Sequence, residues 1–131
     1  MRYRAYGNTG LAVSEIGFGC GSVGGLMVRG SPKEQVAAVA RALELGINLF
    51  DTATAYGDGV SETNLGRVLR ELSAEVVLST KVRPSPDAPS LKAATVTAVE
   101  ASLRRLGRSY VDLIQIHNRI AHSPGTPGPR P

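Results

Sequence analysis

Tryptophan is absent from these 131 residues, and with two phenylalanines and four tyrosines the aromatic content is only 5%. A surface that stacks unpaired bases needs more aromatic area than this. Cysteine occurs once, at Cys20, which excludes an intramolecular disulfide. The opening residues also lack the apolar stretch of a signal peptide, so a reducing cytoplasm is the expected location. No run approaches the roughly 18 apolar residues of a membrane span. Charge of one sign is not concentrated either: 15 basic and 11 acidic residues give a net charge of +4 and are interspersed along the chain. Neither a nucleic acid nor a membrane is therefore an expected partner, and no metal is invoked.

What is present suits one globular domain, with 42% hydrophobic and 20% charged residues. The segment Tyr3 to Ser14 has a turn-forming centre, Gly7-Asn8-Thr9-Gly10, between two short pairing segments, and reads as a hairpin. Ile16-Gly17-Phe18 is a short candidate strand, followed by a glycine-dense loop from Gly19 to Gly30. Ser31, Pro32 and Glu34 form a helix-start signature with a capping box, and Gly46 supplies the stop. Two further units repeat the pattern. Asn48 to Asp51 is a strand, and Ser61 is the expected cap of a helix with Leu65, Val68, Leu69 and Leu72 on one face. Val76 to Lys81 is the next strand, leading to a helix that carries Val96, Val99, Leu103 and Leu106 and stops at Gly107. Val111 to His117 is the last strand.

Strands alternating with helices predict an α/β protein with parallel strands joined by right-handed crossovers. The expected architecture is a partial (β/α)8 barrel: a hairpin, about four strands and three helices over residues 1–118. A complete barrel needs about 250 residues. From 119 to 131 the chain is rich in proline and glycine, carries His122 without an assigned role, and reads as a disordered tail.

In such sheets, functional groups gather at the carboxyl ends of the strands. Asp51, Lys81 and His117 close three strands there, and Tyr56 lies in the loop just beyond Asp51. Each has an ordinary structural reading taken alone: a loop cap, a snorkelling lysine, a core histidine, a half-buried aromatic. Together, a carboxylate, an ammonium, an imidazole and a phenol on adjoining strand ends point to proton donation to a carbonyl. A cation beside a phenol favours its ionised form, and a carboxylate beside the lysine keeps that cation charged.

At these residues the sequence resembles the aldo-keto reductase family, through Gly7 to Gly19, Phe50-Asp51-Thr52-Ala53-Thr54-Ala55-Tyr56-Gly57 with Ser61-Glu62 and Leu65-Gly66, Leu78-Ser79-Thr80-Lys81, Ser102-Leu103-Arg104-Arg105-Leu106-Gly107 and Asp112-Leu113-Ile114-Gln115-Ile116-His117. The resemblance implies an NADPH-dependent reductase of small carbonyl compounds, aldehydes, ketones or sugars. It implies Tyr56 as general acid, Asp51 and Lys81 as its tuning pair, and His117 as the group that orients the carbonyl. It also implies that Gly19, Cys20 and Gly21, with Asp51, lie beside the nicotinamide. The family covers the chain only as an N-terminal half, so a truncated product, inactive as a lone chain, is expected.

Two alternatives stand beside this reading. Unpaired outer strand edges would let a half-barrel associate with itself or with a complementary fragment. Gly19-Cys20-Gly21-Ser22-Val23-Gly24 also fits a dinucleotide-binding G-x-G-x-x-G, which would suit a non-catalytic nucleotide-binding or interaction module. In that motif a helix begins within the glycines, whereas the helix start here is expected at Ser31.

Overall fold

The computed structural model describes residues 1–119, so the expected tail and His122 lie outside the described residues. A hairpin comes first, β1 (Tyr3–Ala5) pairing antiparallel with β2 (Ala12–Ser14). It is held to the body by the Tyr3 hydroxyl donating to Gly46 O at 2.8 Å and by Ser14 N donating to Asn48 Oδ1 at 2.7 Å. The main sheet is parallel, in the order β3 (Phe18–Gly19), β4 (Leu49–Asp51), β5 (Val77–Val82) and β6 (Leu113–Ile116). Most strands are shorter than the apolar runs imply, and the last ends before His117, because pairing requires a partner on the neighbouring strand as well as propensity.

Between the strands run α1 (Leu26–Arg29), α2 (Pro32–Glu44), α3 (Val60–Glu71) and α4 (Leu91–Leu106). The capping box of α2 forms as expected: the Ser31 side chain accepts from Glu34 N, and the Glu34 carboxylate accepts from Ser31 N at 2.8 Å. The Ser31 side chain and backbone together hold the Glu34 carboxyl below its ordinary value. Two helix expectations are corrected. A one-turn helix, α1, forms within the glycine-dense stretch expected to be loop from Gly19 to Gly30, and Gly25 with φ +72° allows that sharp entry. Ser61 does not cap α3; Gly59 does, in left-handed conformation. The buried Ser61 hydroxyl instead donates inward to Cys20 O at 2.9 Å.

The core lies between the sheet and the helices, around Val39, Phe50, Leu65, Val68, Leu69 and Leu106. Helices α3 and α4 meet backbone to backbone at Gly66, where a Cβ would come within 2.2 Å of Leu106 O. Alternation along the strands separates two faces. Phe50, Leu78, Thr80 and Val82 are buried, with Phe50 and Leu78 in the helix-side core. Asp51, Ser79, Lys81 and Gln115 fall on the other face, brought abreast by the pairings Asp51 with Ser79 and Lys81 with Gln115.

Candidate active site

The polar face carries the site. Asp51 is the last residue of β4, Lys81 lies one residue before the end of β5, and His117 directly follows β6. Tyr56 stands on the loop from β4 to α3, which Gly57, Asp58 and Gly59, all at positive φ, fold back toward the sheet. The four residues expected from the sequence do converge. Lys81 Nζ donates to Asp51 Oδ2 at 2.5 Å, to Thr52 O at 2.9 Å and to the Tyr56 hydroxyl at 3.3 Å. Its charge lies 5.0 Å from the Tyr56 ring centroid. The His117 ring stands edge-on to Tyr56, with centroids 6.0 Å apart and an interplanar angle of 89°. His117 Nδ1 is buried and has no hydrogen-bond partner among the described residues.

Three acceptors for the three hydrogens of one ammonium leave it no spare donor. The Tyr56 oxygen accepts from Lys81, so its own hydrogen is directed elsewhere. Asp51 is further tied by Ser79 Oγ, which donates to Oδ1 at 2.9 Å. Gln115 Nε2 reaches Ser79 Oγ at 3.0 Å and Asp51 Oδ1 at 3.4 Å. Sequence reading assigned no role to Ser79 or Gln115. The signal lay in their places opposite Asp51 and Lys81, which only the strand register reveals.

The glycine loop borders the phenol. Neither Gly19 nor Gly21 has a positive φ, so the backbone conformation does not demand glycine there. What they provide is room: a Cβ at Gly19 would meet nothing within 4 Å, and one at Gly21 would meet only the Tyr56 ring, at 3.9 Å. Cys20 between them is 1% exposed, and burial, with a smaller contribution from the Asp51 charge and partial opposition from Lys81, pushes its thiol up to about 12. Cys20 therefore takes part through its backbone, its N–H donating to Asp51 O at 2.9 Å, rather than as a reactive sulfur.

Comparison with known proteins bears on the family and the fold. The model of the aldo/keto reductase family matches residues 15–124. The aldo-keto reductase YhdN of Bacillus subtilis is 38% identical over 125 residues, covering 89% of this chain and 38% of that protein. Among solved structures, the holo form of an aldo-keto reductase from Bacillus halodurans superposes with a TM-score of 0.73 at 34% identity, covering 88% of this chain and 40% of that one. An aldo-keto reductase from Klebsiella pneumoniae, solved in complex with NADPH, gives 0.69 at 36% identity over 85% of this chain and 37% of that one. The parallel sheet and its helices are thus part of a (β/α)8 barrel, and the chain spans about two fifths of the length of these relatives.

Proposed function

The chain belongs to the aldo/keto reductase family, and on that premise we propose that it carries the proton-donating side of an NADPH-dependent reduction of a small carbonyl compound. The observation that carries this reading is the saturation of Lys81: with its hydrogens on Asp51, Thr52 and Tyr56, the phenolic hydrogen of Tyr56 is left for a substrate oxygen. When Tyr56 gives up that proton, the ammonium beside it stabilises the phenolate. Asp51 keeps the ammonium charged and fixed. His117, edge-on to Tyr56, borders the same space and orients the carbonyl oxygen toward the phenol. Gly19, Cys20 and Gly21, together with Asp51, form the wall against which the nicotinamide ring packs, and the reduced nicotinamide supplies the hydride when bound. The relative solved with NADPH favours that cofactor, and the buried, protonated thiol suits a reducing cytoplasm.

The test is NADPH titration by fluorescence, with sedimentation on the same sample, followed by assay on small aldehydes and ketones. In a sample that binds NADPH, Tyr56→Phe is expected to cut reduction by about a hundredfold or more while leaving cofactor binding intact. A Tyr56→Phe protein as active as the parent overturns the acid assignment; a folded monomer that ignores NADPH is the outcome expected of a lone inactive chain, and a folded assembly that ignores it overturns the cofactor assignment.

A second observation bears on assembly. Among the described residues the outer edges of β3 and β6 pair with no strand, and Ile114 and Ile116 of β6 are 47% and 58% exposed. Such an edge favours pairing with another chain. Self-association through it predicts a sedimentation coefficient that rises with concentration, and a folded sample that stays monomeric opposes it.

A further inference from the structure

We infer that Ser79 and Gln115 are positioning residues for the proton donor, forming a hydrogen-bond chain across three strands that holds Asp51 so that its other oxygen fixes Lys81 against Tyr56. The inference rests on the reading of Tyr56 as the acid and adds two residues to it. Register makes the chain geometrically direct, because Ser79 is the pairing partner of Asp51, and Gln115 that of Lys81. Its direction follows from chemistry. An ionised carboxylate only accepts, so the Ser79 hydroxyl must give its hydrogen to Asp51 Oδ1, at 2.9 Å. The Ser79 oxygen then has only lone pairs to offer, and it takes the Gln115 amide N–H at 3.0 Å. The same amide nitrogen reaches Oδ1 at 3.4 Å, so Oδ1 is approached from two strands while Oδ2 is left to Lys81.

The restraint matters because Asp51 is not buried deeply enough to be held by packing. Its side chain retains 37% exposure against 12% for Lys81. A half-exposed carboxylate without the tether can turn on its χ angles and exchange its lysine contact for water. Lys81 then gains freedom, and its third hydrogen is no longer aimed at Tyr56. Linked hydrogen bonds of one polarity also strengthen one another, which favours a serine between amide and carboxylate over two separate contacts.

The experiment uses the whole chain with 15N-labelled lysine. There are three lysines, and Lys33 and Lys92 are exposed, so Lys81 supplies the one side-chain ammonium protected from water. Exchange of its hydrogens and its nitrogen shift are measured in the parent protein, in Ser79→Ala, in Gln115→Leu and in Asp51→Asn. Ser79→Ala and Gln115→Leu are expected to speed Lys81 exchange several-fold and to move its shift toward that of Asp51→Asn, with Lys33 and Lys92 unmoved and Ser79→Thr restoring the parent value. Parent-like Lys81 signals in both variants, while Asp51→Asn alters them, would overturn the proposal. Gln115 is exposed, so Gln115→Leu decides the matter if Ser79→Ala does not fold. Neither cofactor nor substrate is needed, so the result is separable from failure of the reductase reading, which the Tyr56→Phe assay judges.

Discussion

Two carboxylates flank the same sheet, each paired with a cation, and they are built for different ends. Glu62 of α3 is fully buried on the helix side, accepting from Thr80 Oγ1 at 2.6 Å and from Arg105 Nε at 2.7 Å. Arg105 in turn spends Nη2 on Thr54 Oγ1 and Ser102 Oγ, each at 3.1 Å. Every one of these contacts ends inside the protein. On the open side Asp51 stays 37% exposed, and its lysine spends one hydrogen on Tyr56, whose own proton has no acceptor among the described residues. A network whose carboxylate is fully buried and held by protein donors fixes structure, whereas one with an unspent proton at an accessible edge is free to meet a ligand, as the proposed reading requires.

The largest expected effect lies on the helix side. Gly66→Ala drives a Cβ into the Leu106 carbonyl, and that oxygen belongs to backbone which cannot turn away. Separating α3 from α4 should cost about 3 kcal/mol or more. Urea denaturation measures it, and a stable variant would show that the two helices have room to slide.

The isosteric pair Glu62→Gln and Asp51→Asn breaks the comparison directly. Glu62→Gln leaves the Arg105 charge uncompensated beside a buried amide and should destabilise by about 3 kcal/mol. Asp51→Asn leaves the 12%-exposed Lys81 without its carboxylate, but that edge is open to water and Thr52 O and Tyr56 still accept, so the loss should be smaller, about 1–2 kcal/mol. Its consequence is expected in the Lys81 ammonium and in carbonyl reduction. Equal losses of stability in the two variants would remove the distinction between the faces.

The open face was largely legible in the sequence and the helix-side network was not. Asp51, Lys81 and His117 could be found because strand periodicity and the rule of carboxyl ends place them, and Tyr56 follows from the loop beside Asp51. Glu62 and Arg105 stand in segments that carry the family resemblance, but they belong to different helices and nothing periodic marks a contact between them. The start of α3 departs from the sequence pattern for a related reason. A serine before an apolar run signals a cap, but the turn through Gly57, Asp58 and Gly59 at positive φ ends the loop earlier and sends Ser61 into the core. Ser79 and Gln115 stood in recognised strands, yet their role depends on which residue lies opposite, and register follows from the whole sheet.

Cys20 touches both sides and offers the finest test. Its amide donates to the Asp51 carbonyl, and its own carbonyl accepts from the buried Ser61. Because burial raises its thiol from about 9 to about 12, the native chain keeps this proton through a range in which the unfolded chain loses it. The unfolded state then binds fewer protons, so this contribution to stability is complete below about pH 9 and is lost as the pH rises toward 12. Urea midpoints across that range should fall, and less steeply in Cys20→Ser. Iodoacetamide at pH 8 should leave the native thiol unmodified and alkylate it once the chain unfolds. The Asp51 charge is the second cause of the shift, after burial, so Asp51→Asn should speed native alkylation by less than about tenfold. A larger acceleration would mean that Asp51, rather than the packing around Met27 and Phe50, keeps solvent from the sulfur, and the open side would then carry more of the structure than its exposure indicates.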